Sequence, residues 1–251
     1  MGLDLAGWIV TAIAILLTGI SKSGLGGALG GLAVPFMAMW ISPRDAVAVV
    51  LPILIAMDFV GIRAWRGKAA WSELRMLIPA ALLGIGLGTL AFGVMPDRVV
   101  VGVLGAISVA FAAHRLLFRR VSVSGEGSPA PSPAWAWLCG AGAGFTSTLA
   151  HAGGPPLLIY LLGRGLPRER FVATTVFFFA AINLAKLPFY LGLGLFRTDT
   201  LLMSAVLLPL VPLGVWLGMH LLKRIPERPF YLFSTAALGL SGIKLLWDAL
   251  V

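Results

Sequence analysis

Long apolar segments separated by short, mostly basic stretches dominate this chain. The segments 76–96, 135–163 and 200–222 contain no Lys, Arg, Asp or Glu. A helix needs roughly 20 residues to cross about 30 Å of hydrocarbon, and continuous runs of Leu, Ala, Gly and Val favour helices over the alternating strands of a barrel. We therefore predict an all-α polytopic membrane protein with about eight membrane segments. The predicted segments are 8–40 with a break near 21–27, 45–62, 76–95, 99–117, 135–163 with a break near 151–156, 171–191, 200–222 and 229–247.

Composition agrees with this pattern and excludes several classes of protein. Of the 251 residues, 59% are hydrophobic and 12% are charged, whereas soluble domains carry about 25% charged residues. The net charge of +9 comes from basic residues in short loops, which is typical of a cytoplasmic membrane face. That distribution does not indicate a nucleic-acid partner. Cys139 is the only cysteine, which excludes an intrachain disulfide and a cysteine metal cluster, and we expect no metal or cofactor.

The two halves of the chain repeat. At a constant offset, Gly84, Gly88, Pro96, Asp97 and Arg98 align with Gly214, Gly218, Pro226, Glu227 and Arg228. Upstream, the glycine pairs 26–27 and 153–154 align, and Asp58 falls near Asn183. A glycine break followed by a helix–Pro-acid-Arg–helix unit, twice in the same order, indicates a duplication.

The distribution of positive charge predicts the orientation of the segments. Many basic residues lie in four stretches, 63–75, 115–120, 164–170 and 223–228, which the positive-inside rule assigns to the cytoplasm. Others lie beside aspartates and fit the opposite face, and these are Arg44, Arg98, Arg197 and Lys244. Both termini are then predicted on that external, periplasmic face.

This orientation turns the two broken segments into hairpins. The 29 residues of 135–163 start and end on the cytoplasmic side, and two crossings would need about 40. A re-entrant hairpin of two short helices fits, and 8–40 is predicted to form another from the opposite face. Three crossings accompany each hairpin, so the repeats are inverted, a recurring plan of secondary transporters. The alternative, in which each arm is a short tilted crossing, keeps the same topology.

The repeats define the predicted domains. The first membrane repeat covers 1–118, a cytoplasmic linker covers 119–134, and the second membrane repeat covers 135–251. The linker is rich in Ser, Gly and Pro, as polar connections usually are.

The first break has the composition of an anion site. It reads GISKSGLGG, and glycine permits the backbone conformations that a sharp break requires. A helix that starts after it would present unpaired N–H groups to an anion. A lysine in mid-membrane is costly and marks function, although it could instead reach an interface. The candidate substrate-binding residues are Ser21, Lys22, Ser23, Gly24, Gly26 and Gly27.

The second break adds further donors. It reads TSTLAHAGGPP, and its candidate residues are Thr148, His151, Gly153 and Gly154. The two prolines suit the first turn of a new helix, where a missing N–H is harmless. His151 could bind an anion when protonated or carry a proton, which makes it the candidate for proton coupling. The alternative is a neutral histidine that bonds to a carbonyl, and the sequence leaves both open.

Three further polar residues lie inside predicted helices. Asn183 and Lys186 are about one turn apart in 171–191 and therefore share a face. We expect Lys186 to face a cavity, because exposure to lipid is the more costly option. Asp58 lies near the end of 45–62, and we interpret it as structural, paired with Arg63 or a lysine.

The break sequences carry a family resemblance. The segments SKSGLGGALGGLAVP and HAGGPP, together with the duplicated layout, resemble the sulfite exporter TauE/SafE family. The resemblance covers nearly the whole chain. It implies transport of sulfite or organosulfonates, usually as export, across the bacterial inner membrane.

The function predicted from these features is transport of an anion, not catalysis. The candidate is a secondary transporter that exports a small sulfur oxyanion or organosulfonate, such as sulfite or sulfoacetate, held at the helix N-termini of the two breaks. A metal-cation permease is an alternative that the acid-poor interior disfavours. A membrane-embedded enzyme acting on a lipid phosphate is another, but the sequence offers no paired carboxylates and no nucleophile with an evident base. The expected partners are the small anion, the lipid bilayer and a second copy of the chain in a homodimer.

Overall fold

Every regular element in the described part of the chain is a helix. The structure is a computed structural model that describes residues 4–24, 31–117, 132–221 and 227–251. Its helices are α1 (Leu5–Gly24), α2 (Ala33–Met37), α3 (Pro43–Ala64), α4 (Trp71–Val94), α5 (Asp97–Leu117), α6 (Pro133–Ala150), α7 (Gly154–Gly163), α8 (Arg168–Gly192), α9 (Thr198–Leu207), α10 (Leu210–Leu221) and α11 (Glu227–Leu250). The prediction of an all-α protein is confirmed. The predicted linker falls mostly outside the described residues and is not tested.

Several helices have the length and composition of membrane spans. Within the described residues, α3, α4 and the stretches Leu5–Lys22 and Glu169–Gly192 qualify individually. A fifth span results if α9 and α10 count together, although the two are bent by 43°. Leucines on α4, such as Leu87 and Leu90, are 61% and 70% exposed, which suits contact with lipid chains.

Two element boundaries differ from the prediction. The first break begins later than expected, because α1 continues as a regular helix to Gly24. With 20 residues, α1 is about 30 Å long, so the prediction of two short arms is wrong for this helix. The segment 200–222 is interrupted near Leu208, since Pro209 lacks the N–H that a continuous helix needs and its ring clashes with the preceding turn.

Ion pairs between loops define two ends of the molecule. At one end, Lys68 pairs with Glu169 at 3.0 Å and Arg164 pairs with Glu73 at 2.7 Å. At the other end, Arg44 pairs with Asp97 at 2.8 Å and Arg197 pairs with Asp45 at 2.9 Å. The first end collects two of the loops predicted to be cytoplasmic, and the second collects three of the aspartate-containing sites predicted to be external. Which end faces the cytoplasm stays a prediction.

The α4–α6 contact explains how α6 and α7 form a hairpin. A Cβ on Gly140 would meet Leu77, one on Gly144 would meet Ala81, and one on Gly88 would meet Phe145 and Thr148. The contacts advance in the same direction on both helices, so α4 and α6 run parallel and start at the same end. Arg164, directly after α7, pairs with Glu73 in the first turn of α4. The α6–α7 segment therefore begins and ends at one end of the molecule.

The repeat alignment also relates two helix contacts. It makes α4 equivalent to α10 and α6 equivalent to α1, and the structure packs α4 on α6 and α1 on α10. The aligned residues Gly84 and Gly214 lie in these two contacts, against Ala141 and Gly19 respectively. The packing thus follows the duplication, and the inverted relation of the repeats stays a prediction.

Candidate anion site

A small cavity lies where two tips, the last turn of α1 and the α6–α7 turn, meet α3 and α8; these two segments are called the hairpin tips below. Its polar lining comes from Lys22, Ser147, His151, Gly154 and Asn183, and its apolar lining from Leu54 and Phe179. The cavity measures about 20 Å³, which is room for about one water molecule. Both predicted breaks therefore contribute residues to one enclosed space.

Lys22 contacts the cavity from the last turn of α1 and is held by a carboxylate. Its Nζ lies 2.5 Å from Asp58 Oδ1, and the two side chains are 11% and 4% exposed. A cation at this position also interacts favourably with the negative end of the α1 dipole. The other carboxylate oxygen, Oδ2, accepts a hydrogen bond of 2.7 Å from Asn183 Nδ2. Both oxygens of Asp58 are thus engaged.

The prediction for Asp58 named the right kind of partner. Of the two options, Arg63 or a lysine, the structure selects a lysine from another helix, Lys22. Its contact with Asn183 joins α3 to α8. In the predicted repeat alignment the two residues fall near each other, so this contact lies between the two predicted repeats, beside the cavity.

Lys186 lies one contact behind the cavity. It is fully buried, and its Nζ donates to Ser147 Oγ at 3.0 Å and lies 2.7 Å from His151 Nδ1. A longer bond of 3.3 Å reaches the Ser147 carbonyl. Within the described part of the chain, no ion pair to a carboxylate is present for this ammonium. Its neighbours are neutral dipoles, in contrast to the neighbours of Lys22.

His151 ends α6 and uses both ring nitrogens. Its backbone is left-handed, with φ of 51°, and its Nε2 lies 3.0 Å from the carbonyl oxygen of Val47 on α3. In the tautomer with the proton on Nε2, that nitrogen donates to Val47 and Nδ1 accepts from Lys186. The geometry matches a neutral histidine bonded to a carbonyl, one of the two alternatives left open by the sequence.

The glycines of the second break act through packing more than through unusual torsion angles. The left-handed residue is His151, whereas Gly153 has φ of −72°. A Cβ on Gly153 would lie 2.6 Å from the Ala143 carbonyl oxygen, so only glycine lets the turn lie against α6. The residues after it start α7, with prolines in its first turn as predicted.

The N-terminus of α7 faces the cavity through Gly154. Because Pro155 and Pro156 have no N–H, this terminus offers fewer donors than a usual helix start, but the positive end of its dipole remains. The helix after the first break, α2, is only five residues long. Among the described residues, the predicted pair of helix N-termini is therefore reduced to one at the cavity.

The structure brings together only part of the predicted set. Lys22, His151, Gly154 and Asn183 line the cavity. Thr148 instead donates to the Gly144 carbonyl within its own helix. The remaining predicted residues lie elsewhere: Ser21 is buried within α1, Gly24 is the last residue of α1, Gly153 packs on α6, and Lys186 lies behind the cavity. The Ser23 side chain and residues Gly26 and Gly27 lie outside the described part of the chain.

Four residues at the site were not predicted to belong to it. Leu54, Phe179 and Ser147 line the cavity, and Asp58 holds its lysine. Ser147 is one of the donors in the second break, TSTLAHAGGPP, and it shares a face with His151 because it lies one turn before it on the same helix. The apolar residues carry no local signal that distinguishes them from the rest of the core.

Comparison with known proteins places the chain in one family. The model of the sulfite exporter TauE/SafE family matches residues 11–245, a stretch that contains both predicted breaks and the whole cavity lining. No curated protein and no solved structure gives a significant match. Because the match covers nearly the entire chain and coincides with an all-helical fold of membrane-length helices, the chain belongs to the sulfite exporter TauE/SafE family.

Proposed function

We propose that this protein is a secondary transporter that exports a small sulfur oxyanion or organosulfonate, such as sulfite or sulfoacetate, across the bacterial inner membrane. The observation that carries the proposal is the cavity between the hairpin tips. There the ammonium of Lys22, the positive end of α7 and the donors of Ser147 and Asn183 line the same space. Such a combination of cation, helix N-terminus and neutral donors suits an oxyanion.

The charge around the cavity supports an anion over a metal cation. Two lysines, Lys22 and Lys186, and one carboxylate, Asp58, lie at or next to the site. Hard cations need several oxygen ligands, most often carboxylates. Of the residues that the structure describes at the site, Asp58 is the only one with a carboxylate, and it already binds an ammonium and an amide, so it is not free to replace the hydration shell of a metal.

The size of the cavity supports transport by a moving hairpin. With about 20 Å³, it holds about one water molecule, and a sulfur oxyanion with three or four oxygens is larger. Loading therefore requires the hairpin tips to separate. Broken helices at a repeat interface provide such movable elements in secondary transporters.

The test is transport by purified protein in liposomes. Sulfite, sulfate, sulfoacetate, taurine and phosphate are supplied separately, and flux is measured per folded protein. We expect flux of a sulfur anion, and Lys22→Ala should lower it at least about 100-fold, since about 2.7 kcal/mol of anion binding is lost with this charge. The matched control is Lys244→Ala, because Lys244 forms an exposed pair with Asp248. Normal flux in Lys22→Ala, or no anion flux in the wild type, would overturn the proposal.

The driving force of transport can be tested independently of the identity of the substrate. Moving one negative charge outward across a membrane that is negative inside gains about 2.3 kcal/mol per 100 mV, so a monoanion needs no coupling ion. Proton coupling through His151 is the competing mechanism. Because both ring nitrogens already have partners, we expect His151→Gln to retain a flux that is constant between about pH 5.5 and 7.5. A pH-dependent wild-type flux that becomes flat in His151→Gln would favour the competing mechanism.

A further inference from the structure

The formal charges of the side chains next to the cavity do not sum to zero. Lys22 and Asp58 form an ion pair, and Lys186 lies 2.7 Å from a histidine nitrogen that must accept to bond with it. With His151 neutral in that arrangement, the described groups at the site carry a formal charge of one positive unit. That charge is the ammonium form of Lys186, which is fully buried; burial disfavours this form, and an anion that enters the cavity stabilises it.

An imbalance of this kind favours ligands of one valence. A buried charge without a counter-ion is costly, and the cost falls when an opposite charge enters with good hydrogen bonds. A bound monoanion brings the formal charge of the site to zero. A dianion would leave one negative charge in the same low-dielectric space, where it would lack a partner.

We propose that Asp58 determines the valence of the transported anion: by neutralising Lys22 it holds the site at one positive charge, so that monoanions such as hydrogen sulfite and simple monosulfonates are preferred over dianions such as sulfate. Within the proposed substrate class, sulfoacetate is a dianion because it carries both a sulfonate and a carboxylate, so hydrogen sulfite is preferred over it. This inference rests on the proposed function and extends it. It also gives Asp58 a role distinct from helix packing, because packing alone does not distinguish one ligand valence from another.

The geometry defines how Asp58 acts. It does not belong to the cavity lining, and its two carboxylate oxygens contact Lys22 and Asn183. The ammonium of Lys22 has three donors, so one can hold Asp58 while others turn toward an anion in the cavity. Asp58 is therefore a specificity-determining residue that acts on the anion through Lys22.

The experiment compares a fixed monoanion, methanesulfonate, with a dianion, sulfate, in the liposome flux assay. Wild-type protein should prefer methanesulfonate. In Asp58→Asn the site gains one positive charge, and we expect the ratio of methanesulfonate flux to sulfate flux to fall at least about tenfold. The matched control is Asp97→Asn, whose carboxylate pairs with Arg44 at the surface and whose loss should leave the ratio unchanged.

A second variant changes the charge in the opposite direction. Lys186→Met brings the formal charge of the site to zero without changing a cavity-lining residue, and it should weaken methanesulfonate uptake at least about tenfold, with no gain in sulfate. If Asp58→Asn does not fold, this variant decides the question. An unchanged flux ratio in Asp58→Asn, or unchanged methanesulfonate uptake in Lys186→Met, would overturn the valence inference while a transporting wild type leaves the proposed function intact. If the wild-type protein transports no anion, both the valence inference and the proposed function are overturned.

Discussion

The two hairpin tips have related sequences and opposite electrostatic arrangements. At the first tip the cation is on the hairpin, and Lys22 reaches out to a carboxylate on α3. At the second tip the cation is on the neighbouring helix, and Lys186 of α8 reaches to His151 and Ser147 of the hairpin. The difference shows that the cation lies on opposite partners at the two tips. One tip is an ion pair, and the other is a cation among neutral dipoles.

The hairpins also differ in how tightly they are held. The contact of α6 with α4 is a backbone approach in which a Cβ on Gly84 or Gly144 would overlap a carbonyl oxygen. The hairpin is further held by Glu73, which accepts from Tyr160 Oη at 2.6 Å and from Arg164. The contact of α1 with α10 is looser, since a Cβ on Gly214 would lie 3.3 Å from the Gly19 Cα. From these contacts we expect the second hairpin to stay fixed and α1 to be the element that moves.

The largest expected effect tests the α4–α6 contact. Gly84→Ala places a methyl group against the Ala141 carbonyl and the Phe145 amide nitrogen. Backbone atoms cannot move aside as a flexible side chain can, so we expect a loss of about 3 kcal/mol or more in the free energy of unfolding. Gly86→Ala is the matched control, because nothing lies within 4 Å of a Cβ there. Thermal unfolding in detergent measures both, and equal stability of the two variants would contradict the proposed packing.

The second prediction contrasts the two buried lysines. Lys22→Met leaves Asp58 buried without its cation, which should lower the free energy of unfolding by about 3 kcal/mol. Lys186→Met removes a buried cation that pairs with no carboxylate among the described residues. It loses hydrogen bonds to Ser147 and His151, so the net change should stay within about 1 kcal/mol.

Chemical unfolding of both variants in the same detergent tests this difference between the tips. If the two methionine variants lose equal stability, the tips do not differ electrostatically in the way the contacts indicate. A double variant, Lys22→Met with Asp58→Leu, sharpens the test. It should recover most of the loss, because removing a buried pair together is far less costly than breaking it.

Most helices could be predicted because the apolar pattern that indicates each helix lies within the helix itself. Helix α8 was expected at 171–191 and spans Arg168–Gly192, since a continuous apolar run ends at polar or glycine-rich sequence on each side. The break between α9 and α10 was missed because the run 200–222 stays apolar throughout. Pro209 carried the signal for that break. The end of α1 was placed too early because the glycines were given more weight than the helical tendency of the preceding residues.

The site was harder to predict because its contacts are long-range. Lys22, His151 and Asn183 were identified from the cost of a polar group in a membrane, and that argument needs no partner. The partner of Lys22 lies 36 residues away, at Asp58, and no local pattern reports such a contact. The sequence does not give the rotation of α6 about its axis, so it does not distinguish Ser147, which lines the cavity, from Thr148, which bonds within its own helix. That rotation depends on the glycine contacts with α4.

The third prediction tests the hydrogen bonds that Glu73 accepts from Tyr160 and Arg164 at the end of the second hairpin. This group of three residues is called the Glu73 clasp. Arg164→Ala leaves Glu73, whose side chain is 3% exposed, with Tyr160 as its remaining side-chain donor. The hydrogen bond to Glu73 raises the pKa of the Arg164 guanidinium, so its charge is present at any working pH. We expect a loss of about 2 kcal/mol, somewhat below the range for a fully buried pair. Thermal unfolding at neutral pH is the measurement.

A matched control for this clasp lies at the same end of the molecule. Lys68 pairs with Glu169, and the side chains are 48% and 69% exposed. Lys68→Ala should therefore change stability by less than about 0.5 kcal/mol. A loss as large as that of Arg164→Ala would mean that the loops, not the buried carboxylate, hold this end together.

The smallest effect on stability is expected for Gly214→Ala, and it tests which hairpin moves. The new methyl group would lie 3.3 Å from the Gly19 Cα and the Leu16 carbonyl oxygen, so α1 must shift by a few tenths of an ångström. Alanine also favours the helix by about 1 kcal/mol relative to glycine, so the two effects nearly cancel and the net change should stay within about 1 kcal/mol.

Transport should respond more than stability in this variant. If α1 slides along α10 when the tips separate, a methyl group in the contact obstructs that movement, and flux should fall several-fold while unfolding is almost unchanged. Gly86→Ala, where a Cβ on α4 meets nothing within 4 Å, should retain full flux. Normal flux in Gly214→Ala would show that the α1–α10 contact does not slide. The movement that opens the cavity would then have to come from the hairpin that the Gly84 contact and the Glu73 clasp hold most tightly.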